Sequence, residues 1–192
     1  MKSKLITRLT LVFLVAEVAL ILLSWLLSAT MTEGVHSLLT PEGTRWLVGH
    51  FSDIVASPLL VWLLLLSMAW GAVLPLVQRP SPVGQHREAF LIACAFLILY
   101  IVVVLLLTVV PHAVLLSATG SLFPSPFSRN IIPIGCLGVF IFTTTFGITS
   151  GLLKSFDDVC RSLTSGIAQC APLFLLYIFL IQFWESLRFV FF

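Results

Sequence analysis

Charged residues are scarce in this chain. Asp, Glu, Lys and Arg make up 9% of its 192 residues, whereas they form roughly a quarter of an ordinary soluble domain. The net charge is +2 and no run of five or six like charges occurs, so the sequence gives no basis for nucleic-acid binding. With 59% hydrophobic residues, the folded chain is not expected to have water as its main solvent.

Catalytic and metal-binding motifs are missing as well. The four cysteines contain no CxxC pair, and the four histidines show no HExxH spacing. These residues are Cys94, Cys136, Cys160, Cys170, His36, His50, His86 and His112. We therefore interpret the cysteines as small apolar residues and predict no metal and no other cofactor. No nucleophile elbow, P-loop or dinucleotide fingerprint is present, so nothing in the sequence indicates an enzyme.

The sequence contains long apolar runs instead. A helix needs roughly 20 apolar residues to cross a hydrocarbon core of about 30 Å, because every backbone amide must be paired within the segment. Five runs meet this standard, at approximately 9–28, 57–77, 89–110, 131–150 and 167–187. We predict an all-α, multi-pass integral membrane protein that forms a single transmembrane domain over residues 1–192.

The distribution of Lys and Arg predicts the orientation, since basic residues accumulate in short cytoplasmic loops. An N-terminus inside the cell leaves only Arg45, Arg129 and Arg188 outside. The basic residues on the inner side would then be Lys2, Lys4, Arg8, Arg79, Arg87, Lys154 and Arg161. Seven against three favours an N-in, C-out topology.

A further helix is predicted at approximately 41–56, before the second span. Thr40 is a natural N-cap and Pro41 suits the first helical position. Apolar side chains from Trp46 to Val55 then recur every three to four residues, with charged residues between them. This pattern predicts an amphipathic helix that lies at the membrane interface.

Glu17 is the one charged residue within the first span. A charged side chain at the centre of a membrane helix costs about 2.5 to 3.5 kcal/mol on insertion scales. Glu17 is either a proton or cation relay that faces the interior of the helix bundle, or a protonated or hydrogen-bonded glutamate that only packs. The residue pattern leaves both interpretations open and makes Glu17 the candidate coupling residue.

Polar and small residues in the later spans suggest structural roles. Gly147 and Gly151 form a small-xxx-small pair, which lets helices approach closely in lipid, so both are candidate helix-packing residues. In the last span, Glu185 stands three residues before Arg188, which predicts a structural salt bridge.

Seven short segments along the chain carry recognisable motifs: Ser24–Ser28, Leu38–Leu47, Thr119–Leu122, Ser125–Phe127, Ile131–Ile134, Gly151–Val159 and Gln182–Phe183. Together they resemble the aminobenzoyl-glutamate transporter family, AbgT. The family comprises bacterial inner-membrane carriers of p-aminobenzoyl-glutamate, and some members export sulfonamide-type antimetabolites. The resemblance implies a carrier in the inner (plasma) membrane that is driven by protons or sodium ions.

The chain departs from the family pattern at several places. Members are more than twice this length and contain two re-entrant hairpins, as inverted-repeat carriers do. Here only residues 78–88 separate the second and third spans, and the sequence stops at Phe192, before the second hairpin. Arg188–Val190 replaces the Asn-Trp-Ser of the family, and Glu17 stands where members are usually apolar. The resemblance therefore assigns no substrate-binding residue and implies that mainly the scaffold part is retained.

Two functions follow from these observations. The first is a transporter-family protein that works as a homodimer or completes its site with a partner membrane chain. The second is a non-transporting membrane scaffold or interaction subunit derived from a carrier. Membrane lipid surrounds the chain in either case.

Overall fold

A computed structural model of the chain describes residues 2–30, 35–78, 87–109, 127 and 130–191. Within these ranges the protein is helical and contains no strand. The helices are α1 (Lys2–Ala29), α2 (Pro41–Gly49), α3 (Phe51–Val55), α4 (Pro58–Gln78), α5 (Arg87–Val109), α6 (Ile131–Thr149) and α7 (Phe156–Phe191). Five of them, α1, α4, α5, α6 and α7, are long and apolar enough to cross a membrane. The predicted all-α class with five spans is thus confirmed, while the N-in, C-out orientation stays a prediction.

The last span is much longer than predicted, because α7 begins at Phe156 rather than near residue 167. A capping box starts it. The Ser155 hydroxyl accepts a hydrogen bond from the backbone N–H of Asp157 at 3.3 Å, and the Asp158 carboxylate accepts one from the backbone N–H of Ser155 at 3.2 Å. The polar residues before 167 are therefore the first turns of a membrane helix.

The helix predicted over 41–56 is two helices, α2 and α3, so the prediction of one continuous helix is wrong. The break lies at His50, whose φ of −100° and ψ of 1° are not helical. The predicted N-cap is confirmed, since the Thr40 hydroxyl accepts a hydrogen bond from the backbone N–H of Gly43 at 3.2 Å. A position at the bilayer surface stays a prediction.

The described chain divides into two compact units. One comprises residues 1–61 and 170–192, and the other comprises residues 62–169. Helices α4 and α7 run through both units. The interior of the predicted connection 78–88 and the motifs at 119–122 and 125–126 lie outside the described residues.

In the second unit, α5 and α6 form an antiparallel pair. The hydroxyl of Tyr100 donates a hydrogen bond to the carbonyl oxygen of Ile134 at 2.8 Å. The rings of Phe90 and Phe142 meet edge to face, with centroids 5.9 Å apart. Because Phe90 precedes Tyr100 while Phe142 follows Ile134, the two helices run in opposite directions.

Helices α4 and α7 cross within the second unit at two small residues. A Cβ atom on Gly71 would lie 2.5 Å from the carbonyl oxygen of Ser162, and one on Gly166 would lie 2.5 Å from the Cα of Gly71. Each helix carries a serine four residues before its glycine, Ser67 on α4 and Ser162 on α7. This is the small-xxx-small contact by which membrane helices approach closely, and only glycine fits at its centre.

A proline in α4 explains why Ser162 is at this crossing. Pro75 has no N–H, so the carbonyl of Gly71 loses the donor that a helix normally supplies four residues later. The hydroxyl of Ser162 donates a buried hydrogen bond to that carbonyl at 2.6 Å. A serine of one helix thus completes the backbone hydrogen bonding of another, which makes an interior proline tolerable in a membrane helix.

This explanation predicts that the stability lost on replacing Ser162 depends on whether Pro75 is present. We expect Ser162→Ala to lower the free energy of unfolding by about 1 to 3 kcal/mol, because it leaves the buried Gly71 carbonyl unpaired. In a Pro75→Ala background the N–H of residue 75 can reach Gly71, so Ser162→Ala should cost clearly less there. The measurement is reversible unfolding of the purified protein in mixed micelles by added dodecyl sulfate.

Ser165→Ala is the matched control, because the bond of the Ser165 hydroxyl within the described chain is to the carbonyl of Ser162 in its own helix. An equal loss of stability from Ser162→Ala in both backgrounds would contradict the assigned role of Pro75.

Candidate functional site

In the first unit, α1 and the C-terminal half of α7 lie side by side and run parallel. The contacts between them occur in the same sequence order along both helices. The rings of Phe13 and Phe183 have centroids 5.9 Å apart, and the hydroxyl of Ser186 bonds to Glu17 one turn further along. This pairing brings the charged residue of α1 against the polar residues near the end of α7.

Glu17 lies in the middle of its span. It is 13 residues after Lys4 and 12 before Ala29, the ends of the candidate span in α1, so each end is about 20 Å away along the helix. Ser186 Oγ donates a hydrogen bond to Oε1 of Glu17 at 2.6 Å. The other carboxyl oxygen, Oε2, is buried and has no hydrogen-bond partner within the described chain.

Ser186 connects Glu17 to Gln182, and we refer to these three residues as the polar triad. Ser186 is 0% exposed and Gln182 is 8% exposed. The amide Nε2 of Gln182 donates a hydrogen bond to Ser186 Oγ at 3.3 Å, from one helical turn earlier in α7. Gln182 Oε1 is buried without a partner. It and Glu17 Oε2 are the two buried side-chain acceptors that the described residues leave unpaired.

An apolar layer closes the polar triad on the side toward the end of α7. It consists of Leu20, Leu38 and Val190, all buried. Leu20 follows Glu17 by three residues and Val190 follows Ser186 by four, so both lie about one turn beyond the triad. On the opposite side are the rings of Phe13 and Phe183. The polar triad therefore lies between two apolar layers.

The segment 35–40 supplies Leu38 to this layer and is held by backbone hydrogen bonds. The N–H of Leu38 donates to the hydroxyl of Ser24 at 3.2 Å. The N–H of His36 donates to the carbonyl of Val190 at 3.1 Å. The segment thus ties α1 to the end of α7, directly beyond the polar triad.

Helices α2 and α3 pack along α7 in the opposite direction. The ring of Trp46 stacks on that of Phe189, with centroids 4.4 Å apart and planes 19° apart. The hydroxyl of Tyr177 donates a hydrogen bond to the carbonyl of Val55 at 3.1 Å. The first turn of α2 also contacts the segment 35–40, since a Cβ atom on Gly43 would lie 2.6 Å from the Cα of Leu38.

The structure places the candidate packing residues Gly147 and Gly151 in the turn that ends α6. Gly151 has a left-handed φ of 73°, with open space around it, and Gly147 is covered by the side chain of Leu153. The N–H of Leu153 donates to the carbonyl of Gly147 at 2.9 Å. Within the described chain the two glycines serve this turn, and their predicted role in close packing between helices stays a prediction.

The remaining polar residues of the last span are arranged differently from the prediction. Glu185 and Arg188 form no salt bridge, so that prediction is wrong; the ion pair among the described residues joins Asp157 and Arg161. Ser186 was not identified from sequence, although its spacing of four residues from Gln182 places both on one face of the helix. The described residues contain no cluster of three potential metal ligands.

A model of the "AbgT putative transporter family" matches residues 77–189, more than half of the chain. The match includes α5, α6 and most of α7, and therefore Gln182 and Ser186, whereas Glu17 precedes it. No curated protein and no solved structure matches the chain.

Two glycines in α2 test how the segment 35–40 is held. We expect Gly43→Ala to lower the free energy of unfolding by about 1 to 3 kcal/mol, because the new methyl group collides with the backbone at Ser37 and Leu38. It should also speed hydrogen exchange at the Leu38 amide, which then loses its bond to Ser24. Gly49→Ala adds the same group to open space and should change stability by less than about 0.5 kcal/mol. Similar losses from both substitutions would contradict the assigned close approach.

Proposed function

The chain belongs to the AbgT transporter family, and we propose that it acts in transport of p-aminobenzoyl-glutamate or a chemically related substrate, driven by a proton or sodium gradient. The substrate class and the bacterial inner membrane are proposed from the motifs that resemble the family. The family match and the five candidate spans support a multi-pass transport protein rather than an enzyme.

The polar triad is the observation that carries this proposal. A carboxyl group in the middle of a membrane span is costly, and such groups usually mark ion or proton pathways. A glutamate that only packs would be expected to have its polar atoms paired, as buried groups generally do. Glu17 Oε2 and Gln182 Oε1 are both unpaired within the described chain, which favours an exchangeable occupant and makes Glu17 the proposed coupling residue.

The helix directions within each unit support five spans that alternate in direction, and the distribution of basic residues supports the proposed N-in sense. Spans that alternate in direction make the first and fifth parallel, the second and fifth antiparallel, and the third and fourth antiparallel. The contacts of α1 with α7, of α4 with α7 and of α5 with α6 follow this pattern. With this alternation, the positive-inside count favours a cytoplasmic Lys154.

The second candidate function is a non-transporting scaffold or interaction subunit, and α5 favours it. Only 6% of the most apolar window of α5 is buried, so the face of this helix that does not contact α6 is available to lipid or to another chain. In a homodimer, or beside a partner membrane chain, another helix would cover this face of α5. Such packing in lipid depends on van der Waals contacts and not on the release of water. The two functions differ in whether this chain alone moves substrate.

Uptake by proteoliposomes that contain only this chain distinguishes the two functions. We expect radiolabelled p-aminobenzoyl-glutamate to accumulate when a proton or sodium gradient is applied. Glu17→Gln should reduce gradient-dependent uptake to the level of empty liposomes. The reason is that an amide neither binds and releases a proton nor carries the negative charge that attracts a sodium ion. Glu185→Gln, the same change on α7, should retain it. No uptake by folded wild-type protein would contradict transport by this chain and favour the scaffold.

Labelling of single cysteines tests the topology. The background is a variant whose four native cysteines are replaced, into which Lys154→Cys or Arg45→Cys is introduced; both positions are exposed. A membrane-impermeant maleimide should label residue 154 only from the cytoplasmic side and residue 45 only from the opposite side. Labelling of both in detergent is the control, and the reverse pattern would contradict the N-in topology.

A further inference from the structure

The polar triad contains more acceptors than its donors can satisfy. The single O–H of Ser186 is donated to Glu17 Oε1, and Glu17 Oε2 and Gln182 Oε1 are buried without partners within the described chain. A buried acceptor without a donor costs about 1 to 3 kcal/mol, and more when it is charged. These two acceptors can therefore bind a positively charged or hydrogen-donating group.

We propose that the polar triad binds one proton, and that the direction of its hydrogen-bond chain reverses when the proton binds. This deepens the proposed function, on which it rests only for the part that the site plays in transport. Glu17 is the group that takes up the proton, while Ser186 and Gln182 are positioning residues.

Two arrangements of the same three side chains account for the two states. Without the proton, Gln182 donates to Ser186 and Ser186 donates to Glu17, which is the order observed. With the proton on Glu17, its O–H donates to Ser186 Oγ and the serine hydroxyl donates to Gln182 Oε1. The amide of Gln182 must turn over for this, and its two ends are nearly equal in shape. One proton is transferred to the Glu17 carboxylate, which becomes neutral. The only covalent bond that breaks is the one between this proton and its previous carrier.

The number of oxygen atoms favours a proton over Ca²⁺ or Mg²⁺. The triad offers two carboxyl oxygens, one hydroxyl and one amide oxygen, whereas Ca²⁺ takes about six to eight oxygen ligands and Mg²⁺ requires octahedral geometry. The layers on both sides add none, since their side chains belong to Phe13, Phe183, Leu20, Leu38 and Val190. A proton needs only the carboxyl oxygen itself.

The charged and titratable groups around the triad do not bond to it. On α1 the preceding charged residue is Arg8, nine residues before Glu17. Those on α7 from residue 170 onward, on the segment 35–40 and on the helices α2 and α3 are Cys170, Tyr177, Glu185, Arg188, His36, Glu42, Arg45, His50 and Asp53. None of them forms an ion pair or a hydrogen bond with Glu17, Ser186 or Gln182 within the described chain. The protonation step is therefore assigned to the triad alone.

Infrared difference spectroscopy tests the proposal on the full chain in bilayers of phosphatidylethanolamine and phosphatidylglycerol. Lowering the pH should produce a carboxylic acid C=O band together with a change in a glutamine amide band. Glu17→Gln should remove that carboxylic band and Glu185→Gln should leave it. If the Glu17→Gln protein does not fold, Glu17→Asp should shift the band in frequency instead. A spectrum in which no pH-dependent band responds to substitution at residue 17 would overturn the proposal.

A double substitution tests the chain itself. Gln182→Met and Ser186→Ala should each change the frequency and the pH midpoint of the Glu17 band. In the Ser186→Ala background, Gln182→Met should have no further effect, because the hydroxyl that connects the two residues is gone. Independent, additive effects would show two structural influences and overturn the reversing chain.

Binding of a sodium ion by the triad is the alternative to binding of a proton. At constant pH and ionic strength, replacement of choline chloride by sodium chloride should leave the Glu17 band unchanged. A band that shifts with sodium would overturn the proton assignment in favour of a sodium site. An intact triad titration without uptake would contradict the transport function alone, and uptake without that titration would contradict this proposal alone.

Discussion

The structure depends on one constraint: a polar group inside an apolar span has no water to bond with, so the protein must supply its partner. Pro75 removes the donor for the Gly71 carbonyl, and Ser162 replaces it from a neighbouring helix. The hydroxyl of Tyr100, which also needs a partner, donates across from α5 to the Ile134 carbonyl of α6. Such bonds join helices at defined positions, where apolar contacts alone would leave them free to slide.

Against this background the polar triad is an exception. Other hydroxyl groups in the spans, such as those of Thr10, Thr108 and Thr143, bond to carbonyls one turn earlier in their own helices. The two buried side-chain acceptors without partners among the described residues both belong to the triad, and one of them is on the only carboxyl group within α1. Two unpaired acceptors at one place are more simply explained by a shared binding role than by two independent faults in packing.

The sequence predicted those features that depend on composition or on local chemistry. Five spans follow from hydropathy, and the Thr40 cap follows from the residues beside it. The length of α7 was missed because a capping box at Ser155 extends the helix through polar residues. The small-xxx-small pattern was assigned to Gly147 and Gly151, whereas Gly71 and Gly166 make the helix crossing. The same pattern occurs at both places, and which glycine meets a second helix is decided by contacts distant in sequence.

The polar triad could not be predicted from the sequence because it, too, depends on contacts between residues distant in sequence. A carboxyl group in an apolar run is visible in any sequence, but Ser186 lies 169 residues from Glu17 and a serine in a membrane helix is common. The family match covers Ser186 and Gln182 and begins after Glu17. The carboxyl group therefore meets its partners only because α1 packs parallel to α7, a contact sealed by Leu20, Leu38 and Val190. Since the apolar layer and the triad are adjacent turns of the same two helices, a movement that separates the helices at the layer would also break the hydrogen bond between Ser186 and Glu17. The site and the packing that forms it are thus energetically linked, as the proposed exchange of a proton with either side of the membrane requires.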